Sequence, residues 1–154
     1  MATRLLIGLM AGLAFAALSV GAVSAAPGGA GTVSMTEHFS GVIDQESTTN
    51  PCTGQPGMLT LDATNAVAHV TTNANGFWAT FTAQGTATFA PINGTPISGH
   101  FTAWDGENGN LQNGTATMTL TIHLGGLAMH ETAHMSVSAS GISLSFDKSK
   151  LTCS

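Results

Sequence analysis

Thr117-Met118-Thr119-Leu120-Thr121-Ile122-His123-Leu124-Gly125-Gly126-Leu127-Ala128-Met129-His130-Glu131-Thr132-Ala133-His134-Met135-Ser136-Val137 decides how this chain folds. Met118, Leu120, Ile122 and Leu124 alternate with Thr117, Thr119, Thr121 and His123, a period of two that belongs to a half-buried strand. Gly125-Gly126 is a two-residue turn able to take positive φ. The return strand then sets Leu127, Met129, Ala133, Met135 and Val137 on one face and His130, Thr132, His134 and Ser136 on the other. A β-hairpin is the prediction.

The same period extends outward in both directions. Ser140-Gly141 is a turn leading to Ile142, Leu144 and Phe146, opposed by Ser143, Ser145 and Asp147. Upstream, Val33, Met35, Phe39 and Ile43 alternate with Ser34, Thr36, His38 and Ser40; Leu59 and Leu61 make a short strand, and Ala66, Ala68 and Val70 another. Phe77, Ala79, Phe81 and Ala83 form a strand that Gln84-Gly85 turns into a partner carrying Ala87 and Phe89. Phe101 and Ala103 lie on a further strand, ended by Asp105-Gly106-Glu107-Asn108-Gly109-Asn110. Eight or nine strands with short connections and no helical pattern predict an all-β fold, an antiparallel up-and-down barrel of about eight strands, with a β-sandwich as the alternative.

Residues 1–25 read as a signal peptide: Arg4 is the positive region, residues 5–20 are apolar, and Val23-Ser24-Ala25 is a small-x-small cleavage site. No positive stop-transfer cluster follows, so a secreted chain free of the membrane after cleavage is expected. Residues 26–32 are a Gly-rich flexible leader, and 33–154 one domain. Lys148 and Lys150 are then the only cations, which excludes nucleic acid and phosphate ligands. In an oxidising compartment Cys52 and Cys153 have one intramolecular partner each, and a disulfide between them is expected.

His130-Glu131-Thr132-Ala133-His134 matches the H-E-x-x-H of zinc proteases. On a helix the two histidines share a metal. On a strand they lie roughly 13 Å apart, too far for one zinc, and no third ligand follows in the metzincin pattern. His130 and His134 are thus weak metal candidates, and no cofactor is expected. Glu131 is more unusual, because alternation puts its carboxylate among Met129, Ala133 and Met135, where it is costly unless protonated or paired. Glu37, between Met35 and Phe39, has the same anomaly; the alternative for both is a register slip or bulge that turns the glutamate to solvent. In a closed barrel the first strand pairs with the last, so these two acids would lie two strands apart. His38, His69, His100 and His123 read as surface residues, and Trp78 and Trp104 fall on the polar face, where indoles stack on sugars or cover a sheet edge.

The strings Asn50-Pro51-Cys52-Thr53-Gly54, Gly99-His100-Phe101-Thr102-Ala103-Trp104-Asp105-Gly106-Glu107-Asn108, His130-Glu131-Thr132-Ala133-His134 and Ser145-Phe146-Asp147-Lys148 with Leu151-Thr152-Cys153 resemble a large group of small exported actinobacterial proteins without an established activity. The resemblance spans nearly the whole mature chain and implies an exported β domain. The expected function is a non-enzymatic binding module for a small apolar or amphipathic molecule, lined by Glu131, Glu37, Phe81, Phe101, Met129 and Met135. The alternatives are a barrel enzyme using Glu131 and Glu37 as acid and base, a zinc metalloprotease, and a surface interaction protein.

Overall fold

A strand that alternates threonine with an apolar residue has one face to bury and one to wet, and antiparallel neighbours satisfy its backbone. The chain solves this with a single sheet. The structure, a computed structural model, describes residues 31–110 and 112–154. Residues 1–25, which read as a signal peptide, and most of the 26–32 leader lie outside the described residues. The described strands are β1 (Val33–Phe39), β2 (Val42–Thr49), β3 (Pro56–Asn73), β4 (Gly76–Pro91), β5 (Ile97–Gly109), β6 (Asn113–Leu124), β7 (Leu127–Ser138) and β8 (Gly141–Cys153). Their order is β1-β3-β4-β5-β6-β7-β8, with β2 lying end to end with β1 along the same side of β3. Every pairing is antiparallel.

This is the all-β antiparallel class that the alternation predicts. Among the described residues the ladder does not close, because β8 pairs with β7 alone. Glu37 on β1 and Glu131 on β7 therefore do not come together through a first-to-last strand pairing. A bridge does the closing instead. Cys52, in the β2–β3 loop, is joined to Cys153 at the end of β8, with Cα atoms 5.6 Å apart. Six inter-strand steps of about 4.8 Å would hold the edges of a flat sheet roughly 29 Å apart, so the sheet must roll up for this disulfide to exist. Asn50 prepares the loop: its Oδ1 accepts the Cys52 and Thr53 N–H groups at 2.9 and 3.2 Å.

The inner face of the roll is the core. Leu59 and Leu61 of β3, Phe89 of β4, Phe101 of β5 and Leu120, Ile122 and Leu124 of β6 are buried there, between small residues Ala66, Ala83, Ala87 and Ala103. Phe101 is one of the largest fully buried side chains.

Several boundaries differ from the sequence reading, each for a physical reason. The two short strands at Leu59 and Ala66 are one long β3, interrupted by a bulge between Ala63 and Asn65. Thr64 and Asn65 are both exposed, so the bulge reverses the face parity. β1 and β2 follow it at Ser40-Gly41, where Gly41 has φ 69° and donates its N–H to the Ala63 carbonyl at 2.9 Å. Ile43 consequently points outward, while Val42, Asp44 and Glu46 turn inward. Gln84-Gly85 is no turn. β4 runs straight through it, and a Cβ on Gly85 would overlap the Asp62 carbonyl oxygen across the ladder, so this glycine marks close backbone approach. Asp105-Gly106-Glu107-Asn108 is likewise strand rather than turn, which extends β5 to Gly109.

Candidate functional site

Strand parity sorts the charges of this molecule. Counting along each strand from its buried residues, the carboxylates of Glu37 (β1), Asp44 and Glu46 (β2), Asp105 and Glu107 (β5), Glu131 (β7) and Asp147 (β8) all lie on the inner face. Asp62 is the one acid that points outward. All six histidines, with Lys148 and Lys150, occupy outward positions. Among the described residues the inner face therefore carries carboxylates and no cation.

A single register row, Glu37-Ala68-Phe81-Asp105-Met118-Ala133-Asp147, crosses the sheet from edge to edge. Glu107 and Glu131 stand in the rows on either side. Asp105 is only 8% exposed and Glu131 6%. Burial is the main force on both, and it pushes each carboxyl up to about 7. For Asp105 the charge of Glu107 and a hydrogen bond between the two acids add to the rise, so Asp105 keeps the proton and donates it to Glu107. For Glu131 the second cause is the charge of Asp147, which a bulge on β8 brings opposite Ala133. On β2, burial raises Asp44, and burial with the charge of Asp44 raises Glu46. Oδ1 of Asp105, Oδ1 of Asp147, Oδ2 of Asp44 and Oε2 of Glu46 are buried without a hydrogen-bond partner.

The acids of β1, β5, β7 and β8 sit between a closed end and an open one. The row that ends at Cys153 begins at Asp44, where the disulfide holds the edges together. At the opposite end the inward row runs from Val33 to Val137 and Ile142, and there the apolar side chains are exposed, Ile142 by 74%. Met129, the inward neighbour of Glu131 on β7, and Met135, two inward positions beyond Glu131, are half-buried against the core. Phe81 is buried beside Asp105, its register partner. Phe101 is enclosed by the core and presents no surface.

The H-E-x-x-H string lies within strand β7. Its histidines point outward and its glutamate inward. Nδ1 of His130 is hydrogen-bonded to the Thr121 hydroxyl at 2.9 Å, and Nδ1 of His134 to the Thr117 hydroxyl at 2.7 Å. Among the described residues no group of three His, Cys, Asp or Glu side chains is placed to hold a metal ion. Asp105, Glu107, Asp44 and Glu46 escaped the sequence reading, and Asp147, which the alternation puts on the polar face with Ser143, is turned inward by the bulge on β8. The signal for Asp105 and Glu107 was their spacing of two, in phase with Phe101 and Ala103; the glycines between and after them imitated a turn. Also missed was the cross-strand pair His100 and His123, stacked with ring centroids 4.8 Å apart.

No protein-family model, curated protein or solved structure matches the chain.

Proposed function

We propose that this chain is an exported binding module whose rolled sheet takes a small amphipathic molecule carrying a positive charge. The observation that carries this reading is the buried, unpartnered Oδ1 of Asp105, in an interior that among the described residues has carboxylates and no cation of its own. A buried acceptor left without a partner costs about 1–3 kcal/mol, and a ligand ammonium group supplies both the missing donor and the missing charge. The apolar body of the ligand packs on Met129, Met135 and the exposed side chains around Ile142, and its charge lies among Asp105, Glu107, Glu131 and Asp147. Export rests on the signal-like N-terminus and agrees with a disulfide.

The test uses decylammonium, decanol and decanoate, three ligands with one chain and three head groups, titrated by calorimetry into the oxidised mature protein. Decylammonium is expected to bind one to one, at least tenfold more tightly than the other two, and to release protons at pH 6, because a nearby cation lowers the pKa of Asp105 and Glu131. Asp105→Asn should abolish most of that preference. Equal affinity for decanol would overturn the charge assignment, and the absence of binding by all three would overturn the module itself.

A further inference from the structure

A second concave site lies on the other face of the sheet, between the tips of the β3–β4 and β5–β6 hairpins. It is an open groove of about 410 Å³, within the size range of small-molecule sites. Its floor is one register row, Thr71-Trp78-Asn108-Thr115, running across four strands. Trp78 is 48% exposed and is held from one side by the edge of His69, with ring centroids 5.8 Å apart. The rim carries Asn73, Asn75, Asn110 and Asn113. Turn geometry accounts for two of these amides: Asn73 Oδ1 accepts the Asn75 N–H, and Asn110 Oδ1 accepts those of Gln112 and Asn113. It does not account for Asn108, which sits mid-row on a strand, where asparagine is disfavoured, with its side chain directed outward.

We infer that this groove is a binding site for a neutral saccharide. The chemistry of the lining selects that class. Among the described residues no charged side chain lines it, so anions and cations find no partner there. The exposed indole offers an apolar face the size of a pyranose ring, with its positive edge and negative face suited to C–H contacts. Around it the asparagine amides present donors and acceptors side by side, and the threonine hydroxyls present both functions on one atom, the pattern that adjacent sugar hydroxyls require. Gly109 and Gly114, which belong to the inward row, reach the groove through their backbone alone. A purely apolar ligand would leave these amides without water or partner. The site is independent of the acidic interior, since Trp78 and Asn108 point away from it.

The chain has two tryptophans and no tyrosine, so a Trp104→Phe background leaves Trp78 as the sole strong emitter. Titration of that protein with neutral oligosaccharides built from glucose, galactose, mannose, xylose or N-acetylglucosamine should shift the Trp78 emission to the blue for at least one of them. The same sugar should move the side-chain amide resonances of Asn75, Asn108 and Asn113 in the wild-type protein. Trp78→Ala is expected to weaken binding tenfold or more, about 1.4 kcal/mol, while Trp78→Phe retains part of it. Asn108→Ala should weaken it severalfold with the circular dichroism unchanged. Failure of every sugar to perturb either signal, or an affinity that survives in Trp78→Ala, would overturn the assignment.

Discussion

Asp105 and Glu131 are acids placed where water cannot solvate them, and their protons answer for it. In the unfolded chain both ionise near pH 4; in the folded chain each holds its proton to about 7. Between those values the native state binds more protons than the unfolded state, so stability falls as pH rises and the loss is complete above about 7. Unliganded protein should therefore melt at a higher temperature at pH 5 than at pH 8. Glu131→Gln and Asp105→Asn remove the titration while keeping size and hydrogen-bonding capacity, and each is expected to stabilise the protein at pH 8 by roughly 1–3 kcal/mol with little change at pH 4. Thermal melts across pH check this. A flat wild-type profile would show both carboxylates to be solvated. The sequence identified Glu131 because methionines flank it in phase, and it missed Asp105 because Gly106 and Gly109 carry the signature of a turn.

At the scale of the element, glycine has two meanings that composition does not separate. Gly125 is a turn residue, with φ 54°, as the hairpin pattern predicts. Gly85 lies mid-strand in β4, where the β3 bulge brings the Asp62 carbonyl against it. Gly85→Ala should accordingly cost about 2 kcal/mol or more, because the overlap is with backbone and no side chain can swing aside. Denaturant unfolding provides the measurement, and hydrogen exchange should place the damage on β3 and β4 near the bulge. A loss below about 0.5 kcal/mol, the size of an ordinary surface change, would mean that the two strands stand further apart there. The bulge matters to the site, since its parity reversal turns Asp44 and Glu46 inward in place of Ile43.

For the whole molecule the decisive bond is Cys52–Cys153, 101 residues apart in sequence. Closing a loop of that length stabilises the native state by up to ~4.7 kcal/mol in the chain-entropy model, and here the bond also substitutes for the missing β1–β8 ladder. Reduction should lower the denaturation midpoint and speed amide exchange along β8 and the 50–55 loop, with far-ultraviolet dichroism still that of a β protein. Decylammonium binding should weaken in parallel, because the acids of β5 and β7 then lose their enclosure. An unchanged midpoint after full reduction would show that packing alone holds the roll.

The sequence by itself determined the β class, the pairing of the two cysteines and the β6–β7 hairpin, because each follows from local chemistry: a period of two, a turn dipeptide, two thiols without other partners; it marked Glu131 as an anomaly on the apolar side and left open a register slip that would turn it to solvent. Only the tertiary structure decided that the ladder stays open, that Asp147 rather than Glu37 lies beside Glu131, that Asp105 and Glu107 share the interior, and that Trp78 and Asn108 meet in one row. Those outcomes depend on register, and register is set by bulges at Thr64 and on β8 that shift every later side chain to the other face. A one-residue irregularity leaves almost no local trace in the sequence, yet it decides which charges are buried together.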